Sequence, residues 1–151
     1  MDALQRLVEI EAIHLLKARY WRYFDTKNWE AWLDLFLPDA TLKADHATIW
    51  EDEIETLVLN GRDEMAGFLI PRSALRKTVH HGHSPEIEFQ SETEATGIWA
   101  MEDILEYADF ITHGHGHYYE SYKKLNGEWR ISTLHLKRLR LKNLPKADFP
   151  V

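Results

Sequence analysis

The spacing of the apolar residues changes at Thr78, and this change constrains the fold more than any other feature of the chain. Before Thr78, apolar side chains recur at helical spacing. After it, they alternate with polar ones, as on strands with one covered face. Helices followed by a run of strands are typical of the α+β class, in which helices pack on one face of a sheet.

The segment before Thr78 predicts three helices, over residues 2–24, Trp29–Phe36 and Arg62–Lys77. The first helix has two apolar arcs, which predicts that it is covered on two sides. Leu37-Pro38-Asp39 ends the second helix, and Pro71 breaks or kinks the third. A first strand is expected over Ala40–Ala44, while residues 45–60 favour neither helix nor strand.

Four long strands are predicted next, over Thr78–Gln90, Ala95–Tyr107, Ile111–Leu125 and Glu128–Leu141. Asn126-Gly127 lies between the last two and is the strongest hairpin signal in the chain. We therefore expect one domain spanning residues 1–151. It should be a cone-shaped, curved antiparallel or mixed sheet with the N-terminal helices over its concave face. Such a cone has an interior that a small ligand can fill.

Composition and charge exclude several classes of function. Lys and Arg number 18 against 25 Asp and Glu, a net charge of −7, which argues against nonspecific nucleic-acid binding. The absence of Cys excludes disulfides, thiolate nucleophiles and Cys-based zinc sites. No apolar run approaches the roughly 20 residues that span a bilayer, and the N-terminus lacks a secretory pattern. We expect a cytoplasmic protein with no membrane partner.

Asp25 and His80 form the first candidate site. Asp25 follows the first helix, with Tyr20 and Tyr23 just before it, and His80 opens a long strand. A carboxylate that accepts a hydrogen bond from one imidazole nitrogen fixes the tautomer and raises the basicity of the other nitrogen. A surface aspartate, a sheet histidine and two core tyrosines are the plainer interpretation. Because no GxSxG segment or Cys accompanies them, such a base acts on a substrate proton or on water.

Asp103 is the second candidate. Strand alternation places it on one side with Trp99 and Met101. A carboxyl group among bulky apolar neighbours has a raised pKa, stays protonated and can donate a proton or a hydrogen bond. The alternative is an aspartate at a strand end that faces water.

Three histidines, His113, His115 and His117, share one face of a predicted strand, and Glu120 follows. Such a group can bind zinc or iron. The intervening glycines favour another interpretation, a sharply bent strand whose histidines line or flank the cavity. No role follows from the sequence for His81 and His83.

A charged strand near the C-terminus offers one further candidate. The run from Lys137 to Lys142 alternates Lys and Arg with Leu, which is typical of a strand with one wet face. One guanidinium, of Arg138 or Arg140, can reach the cavity mouth and hold an acidic group of a substrate.

Four segments together resemble the SnoaL-like branch of the nuclear-transport-factor-2-like superfamily. They are IHLLKARYWRYFDTKNWEAWLDLFLPDATL, VHHGHSPEIEF, GIWAMED and GHGHYYESYKKLNGEWRISTLHLKRLRL, and they cover nearly the whole chain in the family's order. The resemblance implies a cystatin-like roll, which is the cone expected from the pattern.

Dehydratases of this family, such as bile-acid 7α-dehydratase and scytalone dehydratase, use an Asp–His pair at the places of Asp25 and His80. The resemblance also implies catalytic roles for Tyr20 and Asp103. Residues expected to contact the substrate are Tyr23, Trp99, Met101, His117 and Arg138. Phe24 stands where the scytalone enzyme has a Tyr, which argues against scytalone itself as the substrate.

The expected function is that of a cofactor-independent, dehydratase-like lyase that acts on a small hydrophobic cyclic or polyketide-like substrate. No cofactor and no metal are expected. A non-catalytic binding or assembly module on the same fold is one alternative, and a His-rich metal-binding protein is another. A homo-oligomer, dimer or trimer, is expected because the outer face of such a sheet usually needs covering.

Overall fold

The computed structural model describes residues 1–49 and 52–148 of the chain. Three helices are present in these ranges, α1 (Ala3–Asp25), α2 (Trp29–Leu33) and α3 (Gly61–Ser73). Six strands accompany them: β1 (Phe36–Ile49), β2 (Asp52–Asn60), β3 (Lys77–Phe89), β4 (Glu94–Glu106), β5 (Phe110–Leu125) and β6 (Glu128–Pro145). A short 3-10 helix, Lys146–Asp148, follows β6.

The six strands form one open, mixed sheet in the order β2-β1-β6-β5-β4-β3. All neighbours are antiparallel except β1 and β6, which run parallel. The helices pack over the concave face, where the buried side chains of α1 meet those of the sheet. The predicted α+β class and the curved, mixed sheet are therefore confirmed.

The first helix is close to the prediction, but only one of its two apolar arcs is covered. Asp2 and Gln5 form a capping box at its start, with Gln5 N donating to Asp2 Oδ1 at 2.8 Å. Leu4 and Leu7 on the other arc are 71% and 64% exposed. Within a single chain the sheet covers one arc, and the other arc has no cover among the described residues.

The second helix ends earlier than predicted, and the first strand begins earlier. α2 stops at Leu33, and β1 starts at Phe36 and continues through Pro38. Proline has no N–H for a ladder, and the pairing of β1 with β6 shifts register between Phe36 and Thr41, which accommodates it. Residues 45–60 form the end of β1 and all of β2, apart from residues 50 and 51, which lie outside the described residues.

The third helix is shorter than predicted at its C-terminal end. It stops at Ser73 instead of Lys77, and Pro71 lies in its last turn without ending it at that point. Gly61 begins the helix with φ of +80°, a conformation that suits glycine. The result is that Lys77 and Thr78 already belong to β3.

The hairpin predicted at Asn126-Gly127 is confirmed. Both residues have positive φ, 53° and 81°, and Leu125 pairs with Glu128 across the turn. Positive φ at both central residues is the geometry of the type I′ turn, which matches the twist of the two strands. The turn therefore fixes the register of β5 against β6 for the residues next to it, from Tyr122 to Ile131.

Candidate functional site

A cavity of about 100 Å³ lies between the concave face of the sheet and helices α1 and α3. Its wall comes from both layers and combines nine apolar residues with seven that carry polar groups. The lining residues are Tyr20, Phe24, Leu42, Ala44, Ala47, Leu57, Leu69, Ser73, Arg76, His80, Asp103, Leu105, Tyr118, Leu134, Leu136 and Arg138. This combination of apolar residues and converging polar groups is typical of a small-molecule site.

The side chains of Asp25 and His80 meet at the edge of this cavity. His80 Nδ1 lies 2.6 Å from Asp25 Oδ1, and the backbone N–H of His80 donates to Asp25 Oδ2 at 2.8 Å. The Thr78 hydroxyl also donates to Asp25 Oδ1, at 2.8 Å. Because the carboxylate accepts from Nδ1–H, the lone pair of the ring lies on Nε2, the nitrogen that can accept a proton.

The sequence brings this pair together through two short segments. Asp25 is the last residue of α1, and His80 follows the start of β3 by three residues. The ring of Phe24 packs edge-on against the His80 ring, with centroids 5.2 Å apart. The Lys27 ammonium donates to the Thr78 hydroxyl at 2.9 Å, which completes the set of polar contacts around Asp25.

Asp103 is an ionised partner of Arg138 and not a protonated acid. Arg138 donates from both terminal nitrogens to the two carboxylate oxygens, at 2.6 and 2.7 Å, and both side chains are buried. Burial alone raises the pKa of Asp103, but the charge and the two hydrogen bonds of Arg138 outweigh it and leave the pKa below its usual value. The expected raised pKa of Asp103 is therefore wrong, because Arg138 lies two strands away and its approach to Asp103 is not visible in the local sequence pattern.

A β-bulge decides which arginine reaches the cavity. In the ladder of β5 and β6, His115 pairs with Arg140 but Gly116 pairs with Arg138, so that β6 carries one extra residue, Leu139. Arg138 and Arg140, which would share one face of a regular strand, therefore point to opposite faces of the sheet. Arg138 lines the cavity, whereas Arg140 is exposed.

The register of three strands lines up His80, Asp103 and Gly114 in one row on the concave face. His80 pairs with Asp103 across β3 and β4, and Asp103 pairs with Gly114 across β4 and β5. A Cβ atom at Gly114 would collide with Asp103 Oδ1 and with Arg138 Nη1. Glycine at this position therefore leaves the space that the ion pair occupies.

Two buried tyrosines, Tyr20 and Tyr118, complete the wall, with ring centroids 6.0 Å apart. Burial raises the pKa of Tyr20 far above its usual value, and nearby carboxylates raise it further. Burial likewise raises the pKa of Tyr118. Both hydroxyls therefore stay protonated at neutral pH and can act as hydrogen-bond donors.

Beneath the tyrosines lies a buried ion pair, Lys17 with Glu120. The Lys17 ammonium lies 3.8 Å from the centroids of both tyrosine rings, a cation–π arrangement. Burial lowers the pKa of Lys17, and the charge of Glu120 opposes this effect. The pair thus supports the tyrosine rings from behind, and neither charged residue lines the cavity.

Four residues expected to contact a substrate do not line the cavity. Tyr23 lines a separate cleft of about 340 Å³ between α1, α2 and the start of β6. Trp99 is buried and donates its indole N–H to the Tyr122 hydroxyl at 2.8 Å, and Met101 is buried beside Arg138. His117 lies on the convex face, with its ring against Tyr119. Trp99 and Met101 lie on the same face of β4 as Asp103, as expected, but they are packed in the core and not at the cavity.

Tyr118 and Arg76 line the cavity and were missed by the sequence analysis. Strand alternation could have indicated Tyr118, because it places the side chains of Tyr118 and His117 on opposite faces of the sheet. Arg76 lies in the short connection after α3, where its guanidinium donates to the Tyr107 hydroxyl at 2.6 Å. No pattern in the sequence indicates that this connection reaches the cavity.

The convex face of the sheet carries His113, His115 and His117. They share one strand face, as predicted, but the glycines between them face inward, so these three histidines do not line the cavity. Glu120 lies on the opposite face, and the expected approach of this residue to the histidines is therefore wrong. Glu102 takes its place, with Oε1 2.5 Å from His113 Nε2 and 3.7 Å from His115 Nε2.

Glu102 is ionised in this arrangement. The hydrogen bond from His113 lowers the pKa of Glu102, and the neighbouring imidazoles lower it further, against a smaller effect of burial. A carboxylate and two imidazoles whose ligand atoms lie within 4.8 Å of one another can hold a metal ion.

No helix within residues 1–49 and 52–148 has the length and apolar character needed to cross a membrane.

Solved structures share this architecture at low sequence identity. A candidate scytalone dehydratase from Novosphingobium aromaticivorans matches with a TM-score of 0.78 and 23% identity, over 99% of this chain and 93% of that one. A hexachlorocyclohexane dehydrochlorinase, LinA-type3 from Novosphingobium barchaimii LL02, matches with a TM-score of 0.75 and 18% identity, over 99% of each chain. At these identities the likeness establishes a common fold.

Sequence comparison places the chain more specifically. The probable cyclase FGR4 of Gibberella zeae is 28% identical over 138 residues, which cover 85% of this chain and 89% of that protein. A family model for the SnoaL-like domain matches residues 5–135, which is most of the chain. The resemblance noted in the sequence is thereby confirmed, and the chain belongs to the SnoaL-like domain family.

Proposed function

We propose that this protein is a cofactor-independent lyase that removes water from a small hydrophobic cyclic or polyketide-like substrate. One observation carries the proposal, the contact of His80 with Asp25 at the edge of an apolar cavity. An oriented imidazole is a general base, and the cavity supplies the apolar surroundings in which such a base is effective. The names of the relatives, a cyclase, a dehydratase and a dehydrochlorinase, support a reaction of this kind.

In the proposed reaction, His80 Nε2 removes a proton from the carbon next to a substrate carbonyl. The electron pair of the broken C–H bond forms an enolate, and Asp25 stabilises the positive charge on the imidazole. Tyr20, which is protonated, donates a hydrogen bond to the enolate oxygen. Tyr118 lies on the same wall and can donate to the same atom.

The second half of the reaction expels the hydroxyl group. The enolate collapses, a C=C bond forms, the C–O bond breaks, and the proton on His80 leaves with the hydroxyl as water. Neither Asp103 nor His117 provides this proton in our proposal. Asp103 is held ionised by Arg138, and His117 lies on the other face of the sheet. Arg138 instead stabilises charge on the departing oxygen, since a guanidinium keeps its proton.

The size of the cavity restricts the substrate. Its volume of about 100 Å³ is below the roughly 150 Å³ of a cavity that binds benzene. A single-ring substrate therefore requires movement of lining side chains, and a fused-ring substrate requires much more. We accordingly propose single-ring hydroxylated ketones as the first class to test.

The test compares three variants on a panel of such ketones, with the absorbance of the conjugated enone as the readout. His80→Ala and Asp25→Asn should each lower turnover by about 10²–10⁴-fold, the usual contribution of general acid–base catalysis. His117→Ala, on the convex face, should leave turnover unchanged. Thermal melting of each variant separates loss of chemistry from loss of folding. Unchanged turnover in His80→Ala or Asp25→Asn would contradict the assigned pair.

Binding of a small molecule without turnover is a second candidate function. The small volume of the cavity and the ion pair within it favour this alternative. Saturable binding of a panel member with no enone formed, and with equal affinity in His80→Ala, would favour it over the lyase.

We also propose that the protein is a homo-oligomer, either a dimer or a trimer. The exposed apolar arc of α1, formed by Leu4, Leu7, Val8 and Leu15, supports this proposal. Exposed apolar patches of this kind commonly mark protein–protein contacts. The support comes from the helix and not, as expected from the sequence, from the outer face of the sheet.

A further inference from the structure

We propose a second site, which binds a divalent transition-metal ion, on the convex face of the sheet, formed by Glu102, His113 and His115. The ligand atoms of these three side chains all lie within 4.8 Å of one another. The site is separate from the cavity, because β4 and β5 present the cavity residues on their other face. It does not depend on the lyase proposed above.

The register of β4 and β5 builds this group. Glu102 pairs directly with His115, and His113 is the next residue of β5 on the same face. Directly opposed side chains of an antiparallel pair have Cβ atoms about 4.5–5.5 Å apart, and diagonal neighbours are within reach of long side chains. The rigid sheet therefore holds all three ligands on adjacent positions with no contribution from a loop.

The ligand set suits zinc and similar ions. A carboxylate and two neutral imidazoles bind Zn²⁺ with three protein ligands and leave a fourth position for water. Tetrahedral bonds of 2.0–2.1 Å to such ligands separate the ligand atoms by about 3.3 Å. The present separations from Glu102 Oε1 are 2.5 Å to His113 Nε2 and 3.7 Å to His115 Nε2, which bracket that value.

Small side-chain rotations are enough to admit the ion. The three side chains are 27–37% exposed, so they lie at the surface of the sheet and not in the core. His115 Nε2 is the ring nitrogen that lies near Glu102, 3.7 Å from its Oε1, and is therefore the nitrogen offered to the ion. The ion replaces the hydrogen bond between His113 and Glu102 with two bonds to the metal.

Two cations on the neighbouring strand oppose binding. Arg140 pairs with His115, and Lys142 pairs with His113, across β5 and β6. Both are exposed, so water and salt screen their charges. Imidazole ligands favour zinc-like ions over Mg²⁺, which prefers oxygen ligands, so the site should discriminate between the two.

The test is titration of the untagged, metal-free protein with Zn²⁺ by calorimetry, together with metal analysis after dialysis. The wild-type protein should bind one equivalent of Zn²⁺ and no Mg²⁺. His115→Ala, His113→Ala and Glu102→Gln should each abolish stoichiometric binding. His117→Ala is the matched control, because His117 lies on the same face two residues from His115 but outside the group; this variant should bind like the wild type.

A second readout checks the ligands without relying on loss of binding. Bound Co²⁺ should give the visible absorption of a four- or five-coordinate ion, and this absorption should disappear in Glu102→Gln, which keeps the size of the side chain. Melting of the metal-free variants shows whether each is folded. Binding of less than one equivalent of Zn²⁺ by the wild type would overturn the proposal. Loss of binding in His117→Ala, or retained binding in folded His115→Ala, would overturn it as well.

Discussion

The Arg138→Met substitution would leave the Asp103 carboxylate buried without its partner. Both side chains are more than nine-tenths buried, and the two charges are joined by hydrogen bonds of 2.6 and 2.7 Å. At an effective dielectric constant near 20, two charges about 4 Å apart attract by about 4 kcal/mol. We therefore expect the substitution to lower the free energy of unfolding at pH 7 by about 3–5 kcal/mol.

A matched double variant separates the lost attraction from the cost of an unpaired charge. In Asp103→Leu/Arg138→Met both charges are replaced by apolar groups, so neither is left buried alone. This variant should be more stable than Arg138→Met, because removing both partners of a buried pair is often close to neutral. Urea denaturation of the wild type, both single variants and the double variant completes the cycle.

The stability difference between the wild type and Arg138→Met should depend on pH in a defined direction. In the wild type the pKa of Asp103 is lowered, so the stability it contributes is present at neutral pH and is lost as the pH falls through the folded-state pKa. In Arg138→Met, burial without the guanidinium should raise the pKa of Asp103. Acidification then protonates the carboxyl group and removes the destabilising buried charge. The difference between the two proteins should therefore shrink as the pH falls from 7 to about 4. A constant difference, or a loss below about 1 kcal/mol at pH 7, would refute the reasoning.

Three further predictions concern other parts of the fold. Gly114→Ala should lower the free energy of unfolding by about 1–3 kcal/mol, because the new Cβ collides with the Asp103–Arg138 pair. Gly67→Ala is its control, because nothing lies within 4 Å of a Cβ atom there. This variant should be neutral or stabilising in the same urea denaturation. Asn126→Ala should cost about 1 kcal/mol in that assay, since its φ is 53°, and an unchanged midpoint would argue against the turn geometry. Light scattering should give a mass that is a multiple of 17.8 kDa for the wild type and a smaller assembly for Leu7→Glu. Leu75 is exposed elsewhere on the surface, so Leu75→Glu should have the same mass as the wild type. A monomeric wild type at micromolar concentration would contradict the proposed oligomer.

Local signals in the sequence were sufficient for most of the architecture. The change of spacing at Thr78 indicated the four long strands β3 to β6, although β1 and β2 precede it, and Asn126-Gly127 indicated the hairpin between β5 and β6. These signals are local because helical spacing, strand alternation and turn residues act within a few positions of one another. The extension of β1 through Pro38 was missed because its partner, β6, lies almost a hundred residues away.

The candidate site was predicted less completely, for reasons of long-range geometry. Asp25 and His80 were singled out from residue types and from the family resemblance, and the structure brings them into contact. The partner of Asp103 depends on a bulge at Leu139, and a run that alternates Arg with Leu does not reveal where an extra residue lies. The pKa of Asp103 was misjudged for the same reason, because it is set by a residue two strands away.

The strand that carries His80 lies at the edge of the sheet, so that its outer backbone groups face no further strand, although the His80 N–H donates to Asp25. Such an edge can recruit a strand from another molecule and begin aggregation. Ser84 has φ of +49°, Pro85 follows it, and the pairing of β3 with β4 shifts register between His83 and Glu86. This interruption prevents a further strand from forming a regular hydrogen-bond ladder along β3. Association of two copies is therefore expected to involve side-chain surfaces, and the sheet should remain six strands wide.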